Sequence, residues 1–251
     1  MMRRRVFLAG VPLLLCAARD VPAARAISRM DLKWWRERHE SVLHRLRNGP
    51  VDLLLIGDSI THDLQRTGPI PELDYSAVWN RFYAPRNAVN LGFSGDTTAS
   101  VIWRIRNGEV DGITPKAVQI LIGANNFGAP RWSAEDSFEG IEVILAELRQ
   151  RLPHAKIILL GILPSGRSPW VTDQTKTLNR MLADRHRGAG HVSFIDASPI
   201  YMKHGVVDAD AFYDSLAQPK RPALHPTAQS WMRMAEMVEP TLSALMGDRP
   251  R

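Results

Sequence analysis

Ser59, His225, Gly95 and Asn125 are the residues of this chain whose types and settings could do chemistry together. A serine hydroxyl attacks an acyl carbon only when a base takes its proton and donors hold the oxyanion that follows. Ser59 stands in Gly57-Asp58-Ser59, directly after an apolar run over residues 51–56. That is how a buried parallel strand ends when it delivers a side chain to the rim of a sheet. Among the eight histidines, His225 has the best setting for a base, in Ala223-Leu224-His225-Pro226-Thr227-Ala228 at the entry to a final apolar helix. The backbone N–H groups of Ser59 and Gly95, with the side-chain amide of Asn125, would supply three oxyanion donors. Glycine allows close approach of the backbone, and an amide donates without titrating.

These groups need a scaffold that brings distant segments together. Strands are expected over residues 51–56, 87–91, 117–122, 156–161 and 192–195, and helices over 30–47, 98–107, 171–187 and 226–246. A further helix should begin at Ser133, where Asp136 three residues on completes a capping pattern and Phe138, Ile141, Leu145 and Leu148 form one apolar face. Strand then helix, repeated five times, predicts an α/β fold: a three-layer α/β/α sandwich around a five-stranded parallel sheet. Sites in such sheets form beyond the carboxyl ends of the strands. Ser59, Gly95 and Asn125 follow the first, second and third strands, so topology alone should gather them at one edge.

Composition narrows the classes. The 251 residues suit one domain, 45% of them are apolar, and the formal net charge is +6. Residues 1–26 hold five Arg and one Asp, which leaves 27 basic against 25 acidic residues in the rest, with no basic tract interleaved with aromatics. Nucleic acid is therefore not an expected partner. Residues 1–26 read as an export signal: a basic start, an apolar centre over 6–18 too short for a stable membrane anchor, and Ala24-Arg25-Ala26 as the small-x-small cleavage site. Arg4-Arg5-Val6-Phe7-Leu8 is similar to the twin-arginine export motif. The domain is then 27–251, without cysteine once Cys16 is removed, in a periplasmic or secreted bacterial protein.

Other residues call for blander readings. His39-Glu40 with His44 is one residue too long for a zinc-protease pattern and reads as a solvated helix face, so no metal is expected. His62, His154, His186, His191 and His204 read as surface or loop residues. Trp79 and Trp103 read as packing or as acyl-pocket walls, and Asp96-Thr97-Thr98 as a helix start. There is no phosphate loop or dinucleotide fingerprint, so no cofactor is expected. An α/β-hydrolase elbow would need glycine where Thr61 stands.

Taken together, Gly57-Asp58-Ser59, Gly95, Gly123-Ala124-Asn125-Asn126 and His225 resemble the four blocks of the SGNH (GDSL-type) hydrolases. Residues 90–98, Trp103-Arg104 to Glu109, and Gly161-Ile162-Leu163-Pro164 most resemble the catalytic subunits of brain-type platelet-activating-factor acetylhydrolase and their bacterial relatives. The resemblance implies a flavodoxin-like sheet and a serine esterase that acts on small acyl esters, acetyl foremost, through an acyl-enzyme. With the leader, it suggests an acylated carbohydrate or an exopolysaccharide such as cellulose as substrate. Acyl transfer by the same site, or a carbohydrate-binding accessory role on this scaffold, are the alternatives. The family sets its acid three residues before the histidine, and Pro222 stands there. Asp214 is the chosen orienter, with Asp208, Asp210 or a backbone carbonyl as alternatives, and residues 216–221 as an insertion.

Overall fold

A computed structural model describes residues 20–188 and 190–251. Most of the expected leader, including Cys16 and the arginine pair, lies outside the described residues. The strands are β1 (Leu53–Gly57), β2 (Ala88–Gly92), β3 (Ala117–Leu121), β4 (Lys156–Leu160) and β5 (Val192–Ile195). They form one parallel sheet in the order β2-β1-β3-β4-β5, the doubly wound order in which the chain reverses direction across β1 and β3. A two-residue hairpin, β6 (Met202–Lys203) and β7 (Val206–Val207), stands apart. The helices are α1 (Lys33–Arg47), α2 (Ser59–His62), α3 (Ser76–Val78), α4 (Thr98–Arg104), α5 (Ala134–Arg151), α6 (Pro169–His186) and α7 (Ala228–Met246). The expected three-layer fold is thus observed.

Side chains alternate across the sheet, so each strand feeds two cores. Leu54 and Ile56 of β1 join Val89, Leu91, Ile120 and Leu159 under α1, α4, α5 and α6. Leu53 and Leu55 point the other way, with Leu121, Ile158 and Leu160, under α7 and the segment from Tyr75 to Tyr83. All five positions of β1, β2 and β3 are buried, which explains the unbroken apolar run of β1 and leaves Asn90 of β2 and Gln119 of β3 as buried amides within otherwise apolar strands.

Helix ends follow local chemistry. The Ser133/Asp136 capping box is formed, and Ser168 caps α6 with Pro169 at its first position. The final helix starts at Ala228, capped by Thr227, so Pro226 lies just outside it. The helix expected over 98–107 stops as α-helix at Arg104 and continues as a wider π turn to Glu109, with Gly108 at φ +103°.

Two histidine readings are corrected. His39 is buried, with Nδ1 3.1 Å from Glu109 Oε1 and its ring stacked 5.6 Å from that of Trp35. His186 is also buried, with Nε2 2.8 Å from Glu142 Oε1. In both cases a carboxylate from a neighbouring element satisfies the ring, which lets a polar residue join a face that spacing alone marks as solvated.

The tail of the expected leader is part of the folded body. Val21 and Ala23 are buried, the Thr98 hydroxyl donates to Ala23 O at 2.7 Å, and Ile27 N donates to Ala99 O at 3.1 Å. A Cβ on Gly140 of α5 would sit 2.4 Å from Ala23 O, so only glycine admits this strap. A chain starting at Ile27 should melt on the order of 5 °C below one starting at Val21 in calorimetry. Equal Tm values would make the strap energetically idle.

Candidate active site

Sheet register assembles the site. Gly57 pairs with Gly92 on one side and with Leu121 on the other, so the loops after β1, β2 and β3 leave the sheet side by side. Asp58 caps α2 by accepting from Ile60 N at 3.0 Å, which fixes the turn that presents Ser59. Its carboxyl is pushed up to about 7 by burial, against the opposing pull of the Ile60 N–H and of His225. Ser59 is the first residue of α2, so its N–H has no intrahelical acceptor and is free to face an anion.

Ser59 Oγ lies 2.9 Å from His225 Nε2, and His225 Nδ1 lies 3.0 Å from Asp214 Oδ2. A carboxylate can only accept, so the ring proton belongs on Nδ1 and Nε2 is left to accept from the Ser59 hydroxyl. Asp214 is buried, and burial alone would raise its pKa. Hydrogen bonds from the His225 ring and backbone N–H, the latter at 2.6 Å, together with the charges of His225 and Arg221, outweigh that and hold it below the usual carboxylate range. Asp208 instead caps a short turn, accepting from Asp210 N at 3.2 Å; it is half-buried and Asp210 is exposed.

The ten residues between acid and base are spanned by backbone pairing on either side of them. Tyr213 N donates to His225 O at 3.0 Å, Thr227 N donates to Ala211 O at 2.9 Å, and Phe212 bridges Pro226 antiparallel. Residues 214–224 are therefore a loop whose two ends are fastened together. Ala217 N and Arg221 N both donate to Asp214 O, which folds the loop back on its own acid.

Gly95 holds φ +77°, a left-handed turn that costs glycine little. Asn125 donates through Nδ2 to Asp96 O at 2.9 Å, using one amide hydrogen and leaving the other. Gly95 and Asn125 share a cleft of about 400 Å³ whose walls include Ile27, Arg29, Thr97 and Trp132. Trp79 and Trp103 do not line this cleft; Trp103 packs beside Trp35 and His39.

Asp96-Thr97-Thr98 does open α4, with Thr97 at the cap position, but the Asp96 side chain is fully buried and does not cap the helix. It accepts from Trp35 Nε1 at 2.8 Å, Arg104 Nε at 2.8 Å and Arg29 Nη1 at 2.9 Å. Burial pushes its pKa up, and Arg104, Trp35 and Arg29 oppose the shift. Arg104 also reaches Glu109. The start of α4 is met by Asn126, whose Oδ1 accepts from Thr98 N at 3.1 Å.

Sequence reasoning missed Tyr213, Asp63 and Arg66. The Tyr213 ring stacks on the His225 ring, 5.4 Å apart and 18° from parallel. Its hydroxyl donates to Asp63 Oδ2 at 3.0 Å and accepts from Arg66 Nη1 at 3.1 Å. The one sequence signal was adjacency to Asp214. His62, read as a surface or loop residue, has Nδ1 3.0 Å from Ser94 Oγ, and burial together with Arg38 and Arg66 lowers its pKa to about 4.

A parallel 2-1-3-4-5 sheet with Ser, His and Asp linked at its carboxyl edge is the architecture of the SGNH-type hydrolases. The chain belongs to the GDSL-like lipase/acylhydrolase family, whose model matches residues 55–230. It is 34% identical over 135 residues to platelet-activating factor acetylhydrolase IB subunit alpha2 of Gallus gallus, covering 54% of each chain. The aligned stretch thus spans about half the length of that relative. To the alpha1 subunit of Bos taurus it is 28% identical over 184 residues, covering 72% of this chain and 74% of the other. Among solved structures, Est24, a carbohydrate acetylesterase from Sinorhizobium meliloti, shares the fold with a TM-score of 0.57 and 15% identity, covering 78% of this chain and 99% of the other.

Asp214→Ala should lower kcat for an activated ester by on the order of 10⁴-fold and Asn125→Ala by roughly 10²- to 10³-fold, while Asp208→Ala leaves it unchanged. An Asp208→Ala enzyme as impaired as Asp214→Ala would reverse the assignment of the acid. Asp58 gives a separate expectation. An acid whose folded pKa rises from 3.8 to about 7 binds more protons folded than unfolded across that window, so its contribution to stability is full below pH 3.8 and is lost as pH rises towards 7. Asp58→Asn keeps an acceptor for Ile60 N and should remove that loss, so denaturant melts of the variant should gain on the wild type as pH rises from 4 to 7.

Proposed function

We propose that the chain is a serine ester hydrolase of small acyl esters. The carrying observation is the Ser59–His225–Asp214 relay, at 2.9 and 3.0 Å, at the sheet edge where the loops bearing Gly95 and Asn125 also leave. Ser59 Oγ attacks the acyl carbon as its proton passes to His225 Nε2, and the carbonyl π electrons move to oxygen. The oxyanion is held by the Ser59 and Gly95 N–H groups and the unused Asn125 amide hydrogen. Collapse expels the alcohol, which takes the proton from Nε2. Water then repeats the sequence on the acyl-enzyme and releases the carboxylic acid. Asp214 keeps the imidazole in the accepting tautomer and stabilises its cation.

An acetyl ester on a carbohydrate is the favoured substrate class, with an exopolysaccharide such as cellulose as the finer reading. Two things support it: the leader features of residues 1–26, which favour a site of action outside the cytoplasm, and the shared fold with a carbohydrate acetylesterase.

A fluorophosphonate probe should label the wild type and leave Ser59→Ala unlabelled, with nitrophenyl acetate turnover falling by on the order of 10⁶-fold in the variant. Labelling that persists in Ser59→Ala, or a wild type without turnover, would sink the esterase reading. Comparing acetylated oligosaccharides with acetylated phospholipids, and scoring free acid against acyl passed to a sugar, tests the substrate class and separates hydrolysis from transfer.

A further inference from the structure

A second cavity, of about 350 Å³, lies between α6 and the end of β5. None of Ser59, Gly95, Asn125, Asp214 or His225 lines it. Its walls are largely apolar, with Phe194 of β5, Ala183 of α6, and Met202 and Val207 from the hairpin. A mostly apolar hollow of this size with a few polar groups is the usual form of a small-molecule site.

The polar groups say what would fill it. Thr175 lines the cavity, is only 5% exposed, and its hydroxyl has no hydrogen-bond partner among the described residues. A helical threonine can satisfy itself on the carbonyl four residues back, as Thr172 does with Ser168 O at 3.2 Å. Thr175 does not, so a buried hydroxyl at the cavity wall is left for something else to meet. Lys176 and Arg180, one turn apart on α6, stand at the rim, and neither makes an ion pair among the described residues. Like charges at that spacing repel, and an anion between them relieves the repulsion. Asp196, the acidic residue of the lining, already accepts from Ser198 N at 2.9 Å.

We propose that this cavity binds a small amphipathic carboxylate: an apolar ring or short chain within, the carboxylate between Lys176 and Arg180, and one hydrogen-bonding group on the apolar body meeting Thr175. The site is independent of the acyl chemistry at Ser59.

Calorimetric titration of the full-length Ser59→Ala protein with 3-phenylpropionate, 3-(4-hydroxyphenyl)propionate and tyramine tests each part. Both acids should bind. The ring hydroxyl should add roughly fivefold in affinity, a gain that Thr175→Val removes. Tyramine, which replaces the carboxylate by an ammonium, should bind at least about tenfold more weakly, and Lys176→Glu with Arg180→Glu should cancel or invert that preference. Ala183→Trp, which fills the hollow, should abolish binding, and in the Ser59 background should leave nitrophenyl acetate turnover within about twofold. Should that variant fail to fold, the charge-reversed and Thr175→Val proteins decide the matter alone. No binding up to about 10 mM, or affinities untouched by the charge reversal and by Thr175→Val, would overturn the proposal. Because the readout is heat of binding on a protein without its serine, failure of the esterase reading would leave this result standing.

Discussion

The constraint on which the site rests is a buried ion cluster under the loop after β2. Asp96, Arg104, Glu109 and His39 are all at most 3% exposed and are linked to one another, with Trp35 and Arg29 completing the ring around Asp96. Taking such charges from water costs several kcal/mol each, which is recovered only when every partner is in place. Removing one partner from a set like this typically costs about 3–5 kcal/mol, more than a single buried leucine contributes. The cluster is therefore a device that permits one conformation of the loop and penalises the rest. Its product is the placement of Gly95 and, through the Asp96 carbonyl, of Asn125.

The same logic runs on the other side of the serine. His225 is held by Asp214 from one direction and by the Tyr213 ring from another, and Tyr213 is itself held at its hydroxyl by Asp63 and Arg66. His225 and Asn125 are thus each held by a residue that is itself fixed by further hydrogen bonds, Asp214 by the His225 backbone N–H and Asp96 by Trp35, Arg104 and Arg29. Asp63 and Arg66 follow β1 and α2, whereas Tyr213 and His225 come from near the end of the chain, so these contacts also tie the two ends of the site together.

Much of this was legible in the chain. The strands stop where turn residues follow mainly apolar segments, because burial in the sheet favours hydrophobic residues and exposure at the rim ends the run. The positions of Ser59, Gly95 and Asn125 follow from that topology. The buried roles of Asp96 and His39 escape a one-dimensional pattern, which shows neighbours three or four residues away, because their partners lie 8 to 70 residues distant. Tyr213 escaped notice for a related reason: ring stacking depends on the path of a loop, and turn chemistry does not prescribe that path. The packing of Ala23 against Gly140 has no signature in the sequence, because a small residue ahead of Ala24-Arg25-Ala26 suits a cleavage signal and a close contact alike.

The pairing of residues 211–213 with 225–227 has a wider implication. Acid and base are adjacent because their flanking strands are clasped, so the number of residues between them is mechanically irrelevant. Evolution can lengthen the excursion, decorate it or recruit it to touch a new leaving group without moving either functional atom. In this chain the clasp, not the count of intervening residues, sets the distance between the two functional atoms.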